Sequence, residues 1–252
     1  MLISTALIDL GDTLAYLNRP WNDVFGADVD ALYAFLARYG IDAGFDKFSK
    51  TFIREYEDAS AVSQLYKVEV PIQDIITRVF RKVKVSDSEG AVVQRAIEAF
   101  YRPEIQAWEL YPDAIDCLNA LQRMGFKMGL LSNTKSDWAV RAILAKHNLT
   151  EYFGVIITSA QLGIRKPRLD IFLRALSTLK AKPAEAVFVG DSLEADVIGA
   201  KTAGIRSVHV RRKIESHQHL VTPDATVENL TEAIAQIERW NSIDAGNIST
   251  SG

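Results

Sequence analysis

Beyond Tyr111-Pro112-Asp113, short apolar runs alternate with helix-period segments, and this alternation constrains the fold more than any other feature of the 252-residue chain. A helix carrying Ile115, Leu118 and Leu121 ends at Gly125, and an apolar strand follows from Met128 to Leu131. Ser136 has the chemistry of an N-cap for a helix with Val140, Ile143 and Leu144 on one face. The rhythm then repeats: a strand at Val155 to Ile157, a helix at Leu169 to Leu179, a strand at Ala186 to Val189, a helix at Glu194 to Ala203 closed by Gly204, and a strand at Ser207 to Val210. Strands separated by helices of this length imply crossovers between parallel neighbours, and therefore an α/β sheet. A last helix, about Glu228 to Trp240, carries Leu230, Ile234 and Ile237.

The N-terminal segment supplies a further strand. Ala6-Leu7-Ile8 runs without a charge into Asp9, as in a strand buried on both faces, and stops at the turn pair Gly11-Asp12. From about residue 16 to 105 the pattern is helical instead. Val29, Leu32, Tyr33 and Leu36 share one face, with Gly40 as a stop; Phe45 to Glu57 and Ile72 to Val83 read as helices, and Val93, Ile97, Phe100 and Tyr101 repeat the spacing. Because the first strand must join the later sheet, the helical block is an insertion. The expected organisation is a doubly wound, Rossmann-like parallel core over 1–15 and 106–240, an all-helical insertion without a strand over 16–105, and a flexible polar tail over 241–252.

Composition narrows the partners. A net charge of −3 gives no electrostatic case for nucleic acid, and no apolar run approaches a membrane span. The chain shows no basic region leading into an apolar, cleavable leader, and the single Cys117 cannot form an internal disulfide. A reduced, cytoplasmic setting is the expectation, with the protein a monomer or homodimer.

Each core strand ends in polar residues: Asp9, then Ser132-Asn133-Thr134, then Arg165-Lys166-Pro167 in the segment after the third strand, then Gly190-Asp191-Ser192 with Asp196 beyond. Parallel strands open on one edge, so these residues should converge there. Taken singly each has a plain structural use, as a turn aspartate, a surface lysine or a first-turn carboxylate. Together, carboxylates without His or Cys suit a hard cation such as Mg²⁺, and a hydroxyl, an amide and a lysine suit phosphoryl oxygens. Asp9 can also act as a nucleophile.

These motifs, in this order, resemble the haloacid dehalogenase (HAD) superfamily: Asp9-Leu10-Gly11-Asp12-Thr13-Leu14, Ser132, Lys166-Pro167, and Gly190-Asp191-Ser192-Leu193-Glu194-Ala195-Asp196. The helical insertion resembles the cap of subfamily I. The resemblance implies Asp9 as nucleophile, phosphate contacts from Ser132 and Lys166, and Mg²⁺ on Asp9, Asp191 and the Gly11 carbonyl. Asp196 would bind the metal itself or support its ligands from behind, and Asn133 would contact phosphate or orient the nucleophile. The implied activity is hydrolysis of a small phosphorylated metabolite through an aspartyl phosphate.

One position departs from the pattern. The family's phosphatases usually carry an acid/base aspartate two residues after the nucleophile, and here that residue is Gly11. Asp12 lies one step further along a backbone that redirects its side chain, so it is not expected to substitute. Restoring Asp at position 11 is expected to speed turnover. The glycine keeps three alternatives open. A 2-haloacid dehalogenase lacks that aspartate too, but Gly190-Asp191 looks like a metal site, which those relatives do without. A phosphonatase-like enzyme would need a cap lysine that the sequence does not single out. A binding or regulatory protein would have no need of Asp9, Lys166 and Asp191 together.

Overall fold

The computed structural model describes residues 2–38, 44–85, 90–212 and 221–249, and opens with β1 (Thr5–Ile8), buried at every position. After β2 (Ala15–Leu17) come α1 (Trp21–Ala37), α2 (Phe45–Tyr66), α3 (Ile72–Val83) and α4 (Ala91–Ala107). The chain returns through β3 (Trp108–Leu110), α5 (Ala114–Arg123), β4 (Lys127–Ser132), α6 (Asp137–Lys146), β5 (Val155–Thr158), α7 (Ser159–Leu162) and α8 (Leu169–Leu179). It ends with β6 (Ala186–Gly190), a π-helical turn at Leu193–Val197, α9 (Ile198–Thr202), β7 (Arg206–Val210), β8 (Ala225–Val227) and α10 (Leu230–Ser249). Gly40 and the last residues of the expected tail lie outside the described residues.

The six-stranded sheet has the order β5-β4-β1-β6-β7-β8, parallel throughout. Alternation of side chains sorts its two faces. Ala6, Ile8, Leu130 and Val189 pack with α5, α6 and α10, whereas Leu7, Leu131 and Phe188 pack with α8 and α9. With β1 between β4 and β6, the strand bearing Asp9 runs through the middle of the sheet. The doubly wound core is thus present, with β8 as an edge strand that the sequence pattern did not reveal. At three residues, β8 is too short for its alternation to register.

Helices α1 to α4 bury a second core, in which Phe25 lies against Phe52, Tyr56 and Phe100. The expectation of no strand in this block is corrected at its start, because Tyr16 and Leu17 belong to β2. That strand pairs antiparallel with β3, so the two chain crossings between cap and core run side by side. The flexible tail is also corrected, since α10 continues through 241–249. Asn241 receives Ile3 N–H at 2.7 Å and donates to Ile3 O at 2.9 Å, and Asp244 pairs with Arg206 at 3.0 Å, which anchors a polar helix end to the core. Among the described residues, no helix is long and apolar enough to cross a membrane.

One polar contact crosses the cap interior. Pro103 lies inside α4, and the N–H of Glu104 donates to Asp28 Oδ1 on α1 at 3.0 Å. Burial, with Glu104 nearby, pushes the Asp28 carboxyl up from 3.8 to about 8. The folded chain therefore keeps a proton that the unfolded chain releases, and this group's contribution to stability declines as pH rises from about 4 to about 8. The melting temperature is expected to fall by several degrees between pH 5 and pH 8, and Asp28→Asn, which keeps the acceptor for Glu104 N–H, to reduce that fall. Equal pH slopes in thermal melts of the two proteins would contradict this assignment.

Candidate active site

The carboxyl ends of β1, β4 and β6, with the segment after α7, meet around one buried ammonium. Lys166 Nζ donates to Asp9 Oδ1 at 2.7 Å and to Leu131 O at 2.9 Å, and lies 2.7 Å from Asp196 Oδ1. Its main chain is clamped by Asn133, whose Oδ1 accepts Lys166 N–H at 2.8 Å and whose Nδ2 donates to Lys166 O at 3.1 Å. Burial opposes the ammonium charge, but Asp196 and Asp9 beside it hold its pKa above the ordinary lysine value.

Asp9, Asp191 and Asp196 each bring a carboxylate oxygen within 4.8 Å of the others. Burial raises Asp9 from 3.8 to about 6 despite Lys166, with Asp196 adding to the rise. Asp191 is raised to about 8 by burial and by Asp9, Asp196 and Asp12. Three carboxylates against one ammonium leave excess negative charge in a set of hard oxygen donors, and this fits Mg²⁺. Within the set the roles differ. Asp196 Oδ2 accepts Ser192 N–H at 3.1 Å and its other oxygen faces Lys166, so Asp196 is engaged with the protein on both sides. Gly190 is required by this packing, since a Cβ there would stand 2.2 Å from Asp196 Oδ2.

A cavity of about 540 Å³ lies between this cluster and the cap. Asp9, Gly11, Ser132, Asn133, Lys166 and Asp196 all line it. The Ser132 hydroxyl makes no hydrogen bond to another described residue. Asn133 does not fit the expected phosphate contact as simply, because both its polar side-chain atoms hold the lysine. Asp12 lines the cavity too, with its backbone in the left-handed region (φ 51°) that aspartate tolerates. Arg212 and Arg211, just after β7, pair with Asp113 and Glu228 respectively.

Sequence reasoning missed the cap side of the cavity and the ring beside Gly11. A Cβ built on Gly11 would stand 3.3 Å from Trp108 Cη2, so the tryptophan occupies the space into which a side chain at position 11 would grow. Its Nε1 donates to Glu104 Oε1 at 3.2 Å. Glu104 is buried, lifted to about 7 by that burial, and lines the same cavity. A signal for Glu104 was available: it follows Ile97, Phe100 and Tyr101 at helical spacing, which puts an acid on the apolar stripe of α4. No local pattern marks Trp108.

With this geometry in view, comparison places the chain in a family. The model of the haloacid dehalogenase-like hydrolases matches residues 3–204, and the chain belongs to that family. A glyceraldehyde 3-phosphate phosphatase of Methanopyrus kandleri is 35% identical over 129 residues, 50% of this chain and 54% of that protein. A phosphoserine phosphatase of Thermus thermophilus is 35% identical over 158 residues, 62% of each chain. The chain thus spans somewhat more than half the length of these curated relatives. Among solved structures, a 2-haloacid dehalogenase from Pseudomonas syringae superposes with a TM-score of 0.69 at 23% identity, covering 95% of this chain and 100% of that one. A HAD phosphatase from Thermococcus onnurineus gives a TM-score of 0.63 at 24% identity, covering 92% of this chain and 96% of that one. At these identities the two structures speak for the fold.

The carboxylate cluster makes a prediction independent of turnover. Millimolar Mg²⁺ is expected to raise the melting temperature by several degrees, because a ligand of the folded state stabilises it by mass action. Asp191→Asn is expected to remove most of that rise, and a full rise in the variant would take Asp191 out of the metal site.

Proposed function

We propose that this protein is a Mg²⁺-dependent phosphatase that transfers the phosphoryl group of a small cytoplasmic phosphorylated metabolite to Asp9 and then to water. The observation that carries the reading is the pairing of Asp9 with the buried Lys166 ammonium at 2.7 Å, beside two further carboxylates. The phosphatase names of the curated relatives support it.

Asp9, Asp191 and the Gly11 carbonyl would hold the Mg²⁺, with Asp196 keeping Lys166 and the turn after β6 in place. The metal would offset charge on the phosphoryl oxygens. In the first step an Asp9 oxygen attacks phosphorus and the bond to the leaving oxygen breaks. In the second, water attacks the phosphorus of the aspartyl phosphate, which releases inorganic phosphate and restores Asp9. Ser132 and Lys166 would position the phosphoryl group through both steps, and the cap would exclude bulk water. Gly11 offers the leaving oxygen no proton, so good leaving groups are favoured.

The rival chemistries fit less well. Dehalogenation would tolerate Gly11 but gives no use to three clustered carboxylates. Among the described residues, the lysines lining the cavity are Lys135 and Lys166, both from the core, whereas a phosphonatase-like Schiff base needs one from the cap.

Phosphate release from p-nitrophenyl phosphate, with Mg²⁺ and again with EDTA, tests the reading. Release is expected only with metal, and Asp9→Asn is expected to lower it by about a thousandfold or more. Full activity in Asp9→Asn, or no release in either condition, would overturn it.

The ring beside Gly11 changes what restoring an aspartate there should do. Gly11→Asp alone must push Trp108 aside, and is expected to give no gain. Gly11→Asp combined with Trp108→Ala is expected to raise turnover of an alkyl phosphate, whose leaving oxygen needs a proton, by roughly tenfold or more over Trp108→Ala alone. Steady-state kinetics of the single and double variants check both outcomes.

A further inference from the structure

The core rim facing the cap carries two cations that the phosphoryl site does not use. Lys135 follows the Ser132-Asn133-Thr134 loop, Arg165 immediately precedes Lys166, and both side chains are largely buried and line the cavity. Both meet one carboxylate, that of Glu69 in the cap segment after α2. Lys135 Nζ lies 3.4 Å from Glu69 Oε1, and Arg165 Nη1 lies 3.5 Å from Oε2. These are loose contacts compared with the 2.7–2.9 Å of a close charged pair. Glu69 is itself well served by hydroxyls, with Ser159 Oγ at 2.8 Å and Ser63 Oγ at 3.3 Å. Among the described residues, the side chains of Lys135 and Arg165 make no other hydrogen bond. The Lys135 ammonium also faces the Tyr56 ring, 5.3 Å from its centroid.

Two cations share one anion here, so the cluster holds a net positive charge in a desolvated place. Burial lowers the Lys135 pKa, as expected of an ammonium short of compensation. Elsewhere the cavity wall carries no such cation among the described residues: it presents Glu104 on α4, a buried acid lifted to about 7. The phosphoryl group belongs at Asp9, so the leaving group must extend between the core rim and the cap, where Lys135 and Arg165 stand.

Resting on the phosphatase reading, we propose that Lys135 and Arg165, together with Glu69, form a second anion site that selects phosphate monoesters whose leaving group carries another acid group, a carboxylate or a second phosphate. The added anion shares the two cations with Glu69 and balances the excess charge. Arg165, with its planar fork of donors, suits either acid.

The test uses matched substrates on the full chain with Mg²⁺. Phosphoglycolate is compared with ethyl phosphate, and propane-1,3-diol bisphosphate with propyl phosphate, which separates a carboxylate from a phosphate as the second acid. At least one two-acid substrate is expected to show roughly tenfold or more higher kcat/KM than its partner, mainly through KM. Arg165→Gln and Lys135→Gln should each collapse that ratio. Glu69→Gln should widen it, because the cations then lack their internal anion. If Glu69 served only to strap the cap shut, Glu69→Gln would instead lower both rates together, and that result overturns the proposal, as does equal turnover of each pair by the unmodified protein. Hydrolysis of p-nitrophenyl phosphate in the same preparation keeps the two readings apart. If it is absent, the phosphatase reading fails, and calorimetric titration of Asp9→Asn with each pair still decides: equal affinities within both pairs reject the second site.

Discussion

The site depends on one buried ammonium held between two carboxylates. Lys166 is 3% exposed, and a charge so buried is tolerable only when paired and hydrogen-bonded. Asp9 comes from the end of β1, Asp196 from the turn after β6, Leu131 O from β4 and the lysine from the segment after α7, so the ion network requires four sheet connections to end at one point. Removing the lysine would leave its two carboxylates buried without a cation, typically a loss of about 3–5 kcal/mol. The same pairing fixes the orientation of Asp9. Stability of the loops and the orientation of the Asp9 carboxylate therefore rest on the same contacts.

The cap adds a second layer of polarity with a direction to it. Its segment after α2 is laced to the core arm that leads to Lys166: Glu69 N–H donates to Gly163 O at 3.0 Å, Arg165 N–H to Lys67 O at 3.3 Å, and Lys67 pairs with Glu194 at 2.6 Å. One part of the cavity thus presents core cations around a cap carboxylate, and another presents Glu104 against aromatic rings. A substrate entering this space meets a positive rim and an acidic, aromatic wall, and its orientation follows from which end carries charge.

Much of this was legible in the chain because it depends on short-range pattern. Strand runs ending in Asp9, Ser132 and Asp191 declare themselves by apolar alternation with helices, and parallel topology then forces their ends together. The helical period likewise marks α1, α3 and α4. What escaped depends on contacts distant in sequence. β8 is too short to carry a pattern, and the end of α10 is polar, held by Asn241 on Ile3 and Asp244 on Arg206 rather than by an apolar face. Glu69 lies in a connection between helices, where an acid is unremarkable until the fold sets Lys135 and Arg165 against it. Asp28 and Glu104 are intermediate cases, since each falls on an apolar helical stripe and could have been flagged as buried acids.

Gly11 shows why a missing side chain is not the same as a missing function. Read in the sequence, the glycine is a vacancy where an acid/base carboxylate stands in related phosphatases. In the fold the adjoining space belongs to Trp108, placed there by the register of β3 against β2, which sets Leu17 opposite Trp108. The tryptophan is anchored in turn by its bond to Glu104, so the cap reaches to Gly11 through an aromatic ring and a hydrogen bond. A side chain at position 11 would crowd the ring at position 108, which must yield before a carboxylate can stand there. The glycine is therefore coupled to β2 and β3, and the surroundings of Asp9 are shaped by a residue far along the chain.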